Sequence, residues 1–203
     1  MKRYDPIKRG IDLVVGGVAL VLSLPLQAIV AVLVRRRLGS PVLFRQPRPG
    51  QGERVFELVK FRTMLDPDDT TGLVSDADRM TGLGAFLRST SLDELPTLYN
   101  VVKGDMSLVG PRPLLVRYLD RYSPEQRRRH EVRPGVTGLA QVSGRNALTW
   151  DQKFARDLEY VDSRSLLLDL SILVKTVTRV IRRDGISAEG EVTMSEFVGG
   201  DHG

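Results

Sequence analysis

The chain has 203 residues, 41% hydrophobic and 27% charged, with a formal net charge of +5 and no cysteine. That size and balance give one folded unit with a core and exclude wholesale disorder; the lack of cysteine excludes disulfides, thiolate metal sites and a cysteine nucleophile. A basic chain suits anionic partners, but with 6% aromatic residues and no nucleic-acid-binding motif, those partners read as phosphorylated molecules or lipid head groups, not nucleic acid. Histidine occurs only at His130 and His202, so any metal would sit among oxygens, as a hard ion such as magnesium does.

Residues 13–34 are an almost uncharged stretch of 22 residues, long enough as a helix to cross a bilayer core of about 30 Å. A cleaved signal would end in small residues, whereas Arg35, Arg36 and Arg37 follow directly. Lys2, Arg3, Lys8 and Arg9 precede the stretch. Basic flanks prefer the cytoplasmic side, so a straight span would translocate one cluster against that preference. Two arrangements remain: a single-pass helix with a tolerated kink, or a re-entrant hairpin broken at Pro25, with Ser23 and Gln27 beside it.

After Gly39 no second span follows. Residues 42–44 read as a short strand, 46–52 (QPRPGQG) as a turn, and 55–64 as a second strand with Phe56, Leu58, Lys60 and Arg62 on one face. Residues 66–79 read as an acidic loop leading to a helix over 83–88, and 96–102 as a helix ended by Gly104. Ser123, Pro124 and Gln126 mark a helix start, with Arg127, Arg128 and Arg129 inside it. Residues 150–161 and 166–181 have helical periodicity, the latter interrupted by Asp169, Lys175 and Arg179, charges that argue against a span and for an amphipathic helix on the membrane surface or in the core. The stretch beyond residue 190 reads as a loose tail.

Chemistry concentrates between Arg88 and Pro113. Asp93 and Glu94 are adjacent carboxylates, and a helix beginning near them would supply an electropositive end suited to phosphate. A carboxylate can attack phosphorus, and its neighbour can hold magnesium. The plainer alternative is a capping box, since Ser91 and Glu94 have that spacing. Arg112, between Pro111 and Pro113, is either a stiff phosphate grip or a solvated turn residue. Residues 133–138 (RPGVTG) and 144–146 (GRN) form a glycine-rich basic region without a nucleotide fingerprint. Lys60 and Arg62 could face phosphate or protect a strand edge. Asp157 could reach a site or pair with a basic group, and His130 reads as a surface residue.

Taken together, KFRTM at 60–64, SLDELP at 91–96, NVVKGDMSLVGPRP at 100–113 and RPGVTGLAQVSGRN at 133–146 resemble the bacterial sugar transferases, the small monotopic phosphoglycosyl transferases. The tail SAEGEVTMSEF at 187–197 is similar to members that transfer N,N'-diacetylbacillosamine-1-phosphate at the start of bacterial N-linked glycan assembly. The resemblance implies a mainly helical α+β fold. Residues 1–38 would be a re-entrant membrane anchor, and 39–203 a catalytic domain with a short β-hairpin and amphipathic interfacial helices on the cytoplasmic face of the inner membrane. It implies that Asp93 attacks a UDP-sugar, that UMP leaves, and that undecaprenyl phosphate takes the sugar-phosphate. Asp93 and Glu94 would hold magnesium, and Lys60, Arg62, Arg88, Arg112, Arg145 and Asp157 would complete the phosphate and nucleotide site. Downstream glycosyltransferases would take the product. One departure stands out: the family usually has serine directly before the membrane proline, whereas here Leu24 precedes Pro25 and Ser23 lies one residue earlier. Other UDP-hexoses, a non-catalytic adaptor for lipid phosphate and a magnesium-dependent phosphatase are the competing readings.

Overall fold

The computed structural model describes residues 4–67, 70, 73–144, 148–182 and 196–199. Helix predominates in them, beside two two-stranded sheets. The longest element, α1 (Tyr4–Arg37), is a single helix of 34 residues that runs through Pro25. The interruption expected at the proline is therefore not a gap in the helix. Proline has no N–H, so the carbonyl one turn earlier loses its partner. Beside it Ser23 Oγ donates to the Leu20 carbonyl at 2.9 Å and accepts from Gln27 Nε2 at 2.9 Å. Displaced by one residue, the serine still anchors a polar relay around the proline.

The ends of α1 pack differently from its middle. Asp12 and Gly16 are buried against α4 (Thr97–Lys103) and β3 (Ser107–Val109). A Cβ on Gly16 would stand 3.0 Å from Val101 Cγ1, so its absence lets the two helices approach. Near the other end Val30, Val34 and Leu38 join Phe61 and Leu87 in a second apolar cluster. Between them, over residues 21–29, nothing is buried, and Leu22 is 76% exposed.

β1 (Leu43–Pro49) pairs antiparallel with β2 (Val55–Phe61), Leu43 opposite Phe61 and Pro49 opposite Val55. The turn expected over 46–52 is thus shorter, because the strand continues through both prolines. A two-stranded ribbon leaves one edge of each strand open, and there a missing N–H needs no partner. The other edge of β2 is taken by α4. Asn100 Oδ1 accepts from the Val59 N–H at 3.1 Å, its Nδ2 donates to the Glu57 carbonyl at 2.8 Å, and Thr97 Oγ1 donates to the Val59 carbonyl at 3.1 Å. Polar side chains of a helix thereby replace a third strand. α4 ends on Gly104 at φ 102°, the left-handed cap expected of that glycine.

Within the stretch read as a loop, α2 (Asp76–Arg79) forms one turn closed by a capping box of Ser75 and Asp78; α3 (Gly82–Ser89) matches its expected position. α5 (Pro124–Arg127) opens with the expected box of Ser123 and Gln126 but lasts one turn. Arg128–Glu131 tighten into a 3-10 helix, which turns Arg129 and His130 inward. His130, read as a surface residue, is 6% exposed. Burial, then the charge of Arg129, push its imidazole down to about 4, so it is neutral. β4 (Gly135–Thr137) runs parallel to β3, and α6 (Leu139–Ser143), α7 (Trp150–Ser163) and α8 (Leu166–Arg182) complete the fold. The main core gathers Leu98, Val101, Met106, Tyr160, Val161 and Ile172. The outer side of α8 leaves Leu167, Leu170, Val174 and Val177 exposed. Of the tail read as loose, residues 196–199 are described, and they are docked: Phe197 is buried against Tyr118, Tyr122 and Phe154, and Arg121 holds Glu196 Oε1 at 2.8 Å and the Phe197 carbonyl.

Candidate active site

Between the β-ribbon, α4, α7 and α8 lies a cavity of about 580 Å³. β1 contributes Arg48, β2 Lys60 and α3 Arg88. A 3-10 turn, Leu92–Glu94, brings Asp93 and Glu94, the loop after β3 brings Arg112, and the 3-10 helix and α7 bring Arg129, Lys153 and Asp157. One wall is aromatic, with Tyr118, Trp150 and Phe154; another, toward α8, is formed by Leu98, Val136, Ala140 and Val180.

Neither expectation for the Ser91–Glu94 spacing holds in detail. Ser91 has φ 57° and makes no capping bond, and α4 begins only at Thr97. Holding a serine in the left-handed region costs on the order of 1 kcal/mol, and it reverses the chain so that α3 and α4 flank the turn. Asp93 there is 5% exposed and accepts no hydrogen bond among the described residues. Burial, then the neighbouring Glu94, push its carboxyl up to about 6, against the pull of Lys60, Arg112 and Arg88. It is ionised at neutral pH, more basic than an ordinary carboxylate, and has no donor to give up before reacting.

Arg112 Nη2 donates to Glu94 Oε1 at 2.8 Å, with the guanidinium side chain 52% exposed. Its loop is fixed from behind. The Gly110 N–H donates to the Thr137 carbonyl and the Gly135 N–H to the Pro111 carbonyl, both at 2.9 Å. A Cβ on Gly135 would fall 2.1 Å from the Gly110 nitrogen, and one on Gly138 2.1 Å from the Gly110 oxygen. These glycines therefore serve backbone-to-backbone contact that positions Arg112. Asp157 also acts from behind. It is buried with Arg129, whose Nη2 and Nε reach Oδ2 at 2.6 and 3.1 Å, and Arg129 Nη2 donates to the Arg112 carbonyl at 2.8 Å. Burial raises the Asp157 carboxyl and the Arg129 guanidinium opposes that rise.

Arg62 is a correction. β2 stops at Phe61, so the alternation that would carry Arg62 alongside Lys60 does not extend to it. It donates to the Leu38 and Ser40 carbonyls and pairs with Asp66 at 3.0 Å, tying the end of α1 to the ribbon away from the cavity. Arg145 lies outside the described residues. Lys60 lies over the Phe44 ring at 5.5 Å, and Arg88 Nε donates to Thr63 Oγ1 at 3.0 Å. Neither has a carboxylate within ion-pair distance among the described residues, and the same is true of Arg48. In all, six cationic side chains face three carboxylates. A half-enclosed surplus of positive charge concentrates anions.

Among the described residues no group of three or more His, Asp or Glu is placed to hold a metal by itself. Asp93 and Glu94 are close enough for one charge to raise the other's carboxyl, which fits magnesium in its usual mode of one or two carboxylates completed by substrate phosphate and water. The sequence reading missed Arg48, Arg129, Lys153 and the aromatic wall. For Arg48 a signal existed, because Pro47-Arg48-Pro49 repeats the Pro-Arg-Pro pattern of 111–113.

The chain thus has a buried carboxylate that accepts no hydrogen bond among the described residues, set in a cation-rich cavity, and an apolar helix long enough to cross a membrane. The chain belongs to the bacterial sugar transferase family, whose profile matches residues 3–183. It is 52% identical to an uncharacterised sugar transferase of Bacillus subtilis over 82% of this chain and 83% of that one. It is 40% identical to the UDP-glucose:undecaprenyl-phosphate glucose-1-phosphate transferase of Caulobacter vibrioides, over 89% of this chain and 72% of that one. The undecaprenyl-phosphate galactose phosphotransferase of Salmonella typhimurium is 39% identical over 88% of this chain, which spans only 41% of that longer protein.

Proposed function

We propose that the chain transfers a sugar-1-phosphate from a UDP-sugar to undecaprenyl phosphate, releasing UMP, with Asp93 as the nucleophile. The observation that carries this reading is the ionised Asp93 carboxylate, buried without a hydrogen-bond donor among Lys60, Arg88 and Arg112. An Asp93 oxygen forms a bond to the β-phosphorus while the bond from that phosphorus to the bridging oxygen breaks. The electron pair stays on UMP, and the sugar-phosphate remains on Asp93. A phosphate oxygen of undecaprenyl phosphate then attacks the same phosphorus, the aspartyl bond breaks, and the carboxylate is restored. Lys60 and Arg88 hold the oxygens of the reacting phosphate, and Arg112 exchanges Glu94 for phosphate on the fixed loop. Magnesium held by Asp93, Glu94 and substrate oxygens would neutralise phosphate charge there.

Support for a re-entrant anchor comes from the packing of α1. A straight helix of 34 residues is about 51 Å long, and a spanning one would put its ends on opposite sides of the bilayer. Here both ends are held by one globular body, while the middle, residues 21–29, exposes its apolar side chains around Pro25. That pattern suits residues 1–38 dipping into the cytoplasmic leaflet of the inner membrane and returning, with 39–203 resting on its surface. The exposed apolar row of α8 and the arginines at 35–37 suit the same interface. Glycosyltransferases extending the lipid-linked sugar would follow. The donor sugar we favour is N,N'-diacetylbacillosamine, on the likeness of the tail at 187–197. The relatives are named for glucose, galactose and, in Aeromonas hydrophila, N-acetylgalactosamine.

The test is UMP release by purified protein in nanodiscs with magnesium, undecaprenyl phosphate and those four UDP-sugars. One donor should turn over, and Asp93→Asn should lower that rate at least about 1,000-fold. Release of inorganic phosphate in place of UMP would identify a phosphatase. Silence with every donor, from folded protein, would leave a lipid-phosphate adaptor.

A further inference from the structure

Two arginines of this chain stand between prolines, and the fold brings both to one cavity: Pro47-Arg48-Pro49 on β1 and Pro111-Arg112-Pro113 after β3. Arg48 Nη1 donates to the Pro113 carbonyl at 3.2 Å, joining the two segments directly. Burial, and then the charge of Arg112, pull the Arg48 guanidinium down to about 10. Like charges gathered in a half-buried place raise the free energy unless an anion comes between them. Arg112 has Glu94 beside it. Among the described residues Arg48 has neutral acceptors only, the Gln46 side-chain oxygen and the Pro113 carbonyl, and its Nε is buried without a partner. Such a donor is costly to leave unsatisfied.

The cations of the cavity fall into two groups. Lys60 and Arg88 both feel the charge of Asp93. The charged and titratable groups felt by Arg48 are Arg112, Tyr118 and Tyr122, and Asp93 is not among them. Arg112 belongs to both groups, since it feels Asp93 and Glu94 while acting on Arg48. A nucleoside diphosphate sugar has the same division. Its sugar-bearing phosphate must meet the nucleophile, and its other phosphate must lie further along.

We propose that Arg48, acting with Arg112, is a two-guanidinium clamp for the phosphate of the departing nucleotide, the α-phosphate of the UDP-sugar. This rests on the transferase reading above. When the bond from the β-phosphorus to the bridging oxygen breaks, that oxygen remains on UMP with the electron pair, and the nucleotide phosphate gains negative charge. A fork of donors fixed by flanking prolines stabilises that charge as it develops. Arg48 then serves the nucleotide half-reaction and not the lipid one, because UMP has left before undecaprenyl phosphate attacks.

The test uses the full chain in nanodiscs and three variants. Arg48→Gln keeps a donor for the Pro113 carbonyl without the charge, Arg48→Lys keeps the charge without the fork, and Arg45→Met changes an exposed neighbour on the same strand that pairs with Glu57. UMP affinity is read by calorimetry, which needs no turnover, and steady-state kinetics are read against each substrate. Arg48→Gln is expected to weaken UMP binding at least about tenfold and to lower kcat/KM for the UDP-sugar about 100-fold, with the KM for undecaprenyl phosphate held within about twofold. Arg48→Lys should recover part of the loss, and Arg45→Met should match wild type. Unchanged UMP affinity in Arg48→Gln would overturn the clamp. So would equal losses toward both substrates with a lowered Tm, which is the signature of a loop strut. A wild type that binds UMP but never turns over would sink the transferase reading, while the UMP affinities still decide whether Arg48 holds a nucleotide phosphate.

Discussion

Asp169 and Asp93 are both 5% exposed, yet their surroundings differ completely. Asp169, under the first turns of α1, accepts from Tyr4 and Lys8 at 2.6 Å and from Tyr160 at 2.8 Å. Nearby, Asp12 accepts from Ser107 Oγ and the Leu108 N–H at 3.0 Å, and Arg164 grips Asp5 through two nitrogens. Arg9 covers the Val101 and Val102 carbonyls near the end of α4 at 2.7 and 3.0 Å. Each of these charged groups has a hydrogen-bond partner, an opposite charge for Lys8, Arg164, Asp5 and Asp169 and neutral groups for Arg9 and Asp12, so the dock is a joint. Around Asp93 the cations are near but none bonds to it, and the carboxylate stays raised and open to the cavity. A buried charge that is satisfied holds the fold together; one left unsatisfied among opposite charges is held ready for a ligand.

The contrast predicts opposite responses to removing each charge. Asp169→Ala strands Lys8 in a buried place and should cost about 3–5 kcal/mol in unfolding free energy, measured by denaturation in detergent. A loss below about 1 kcal/mol would show that the dock bears little of the fold. Asp93→Asn should do the reverse. Its carboxyl titrates near 3.8 when unfolded and about 6 when folded, so between those values the folded state binds more protons and stability falls as pH rises. Above that window the ionised carboxylate costs up to about 3 kcal/mol. The asparagine variant should be more stable than wild type by as much as that at pH 7.5, and the gain should vanish below pH about 4. A destabilised variant at neutral pH would mean that Asp93 is satisfied in solution, as Asp169 is.

Activity sharpens the same point. If ionised Asp93 is the attacking group, turnover should fall about tenfold per unit as pH drops below about 6, whereas a flat profile down to pH 5 would assign the attack elsewhere. The smallest expected effect lies at the aromatic wall. Trp150, the only tryptophan, packs 5.3 Å from Phe197 and lines the cavity. Phe197→Ala should shift Trp150 emission to the red while costing about 1 kcal/mol or less globally, because a terminal clip opens locally. An unshifted spectrum would mean that the tail does not brace that wall.

Much of the chemistry was legible in the chain. The apolar run of α1, the capping box at Ser123, the glycine cap at Gly104 and the adjacency of Asp93 and Glu94 all depend on residues within a few positions of one another. Where local reading failed, distance along the chain was the reason. Ser91 and Glu94 have capping-box spacing, but in the folded chain Ser91, between α3 and the turn that carries Asp93, takes the left-handed conformation and makes no capping bond. His130 read as a surface residue and the tail that holds Phe197 as loose because the aromatic cluster that covers them is assembled from separate segments.

The sequence alone determined a long apolar N-terminal helix, a mainly helical α+β chain and a short list of acids and bases suited to phosphate. It could not determine which charges would meet. Asp157 lies 28 positions from Arg129 and Asp12 lies 95 from Ser107; only folding made one a strut behind Arg112 and the other part of the α1 dock. Propensity and capping are local free energies and are written in neighbouring residues, whereas the pairing or isolation of a buried charge is set by whatever the tertiary fold brings beside it. That is why Lys60 and Arg62, two residues apart, end in different roles, and why Arg48 joins Arg112 from across the molecule.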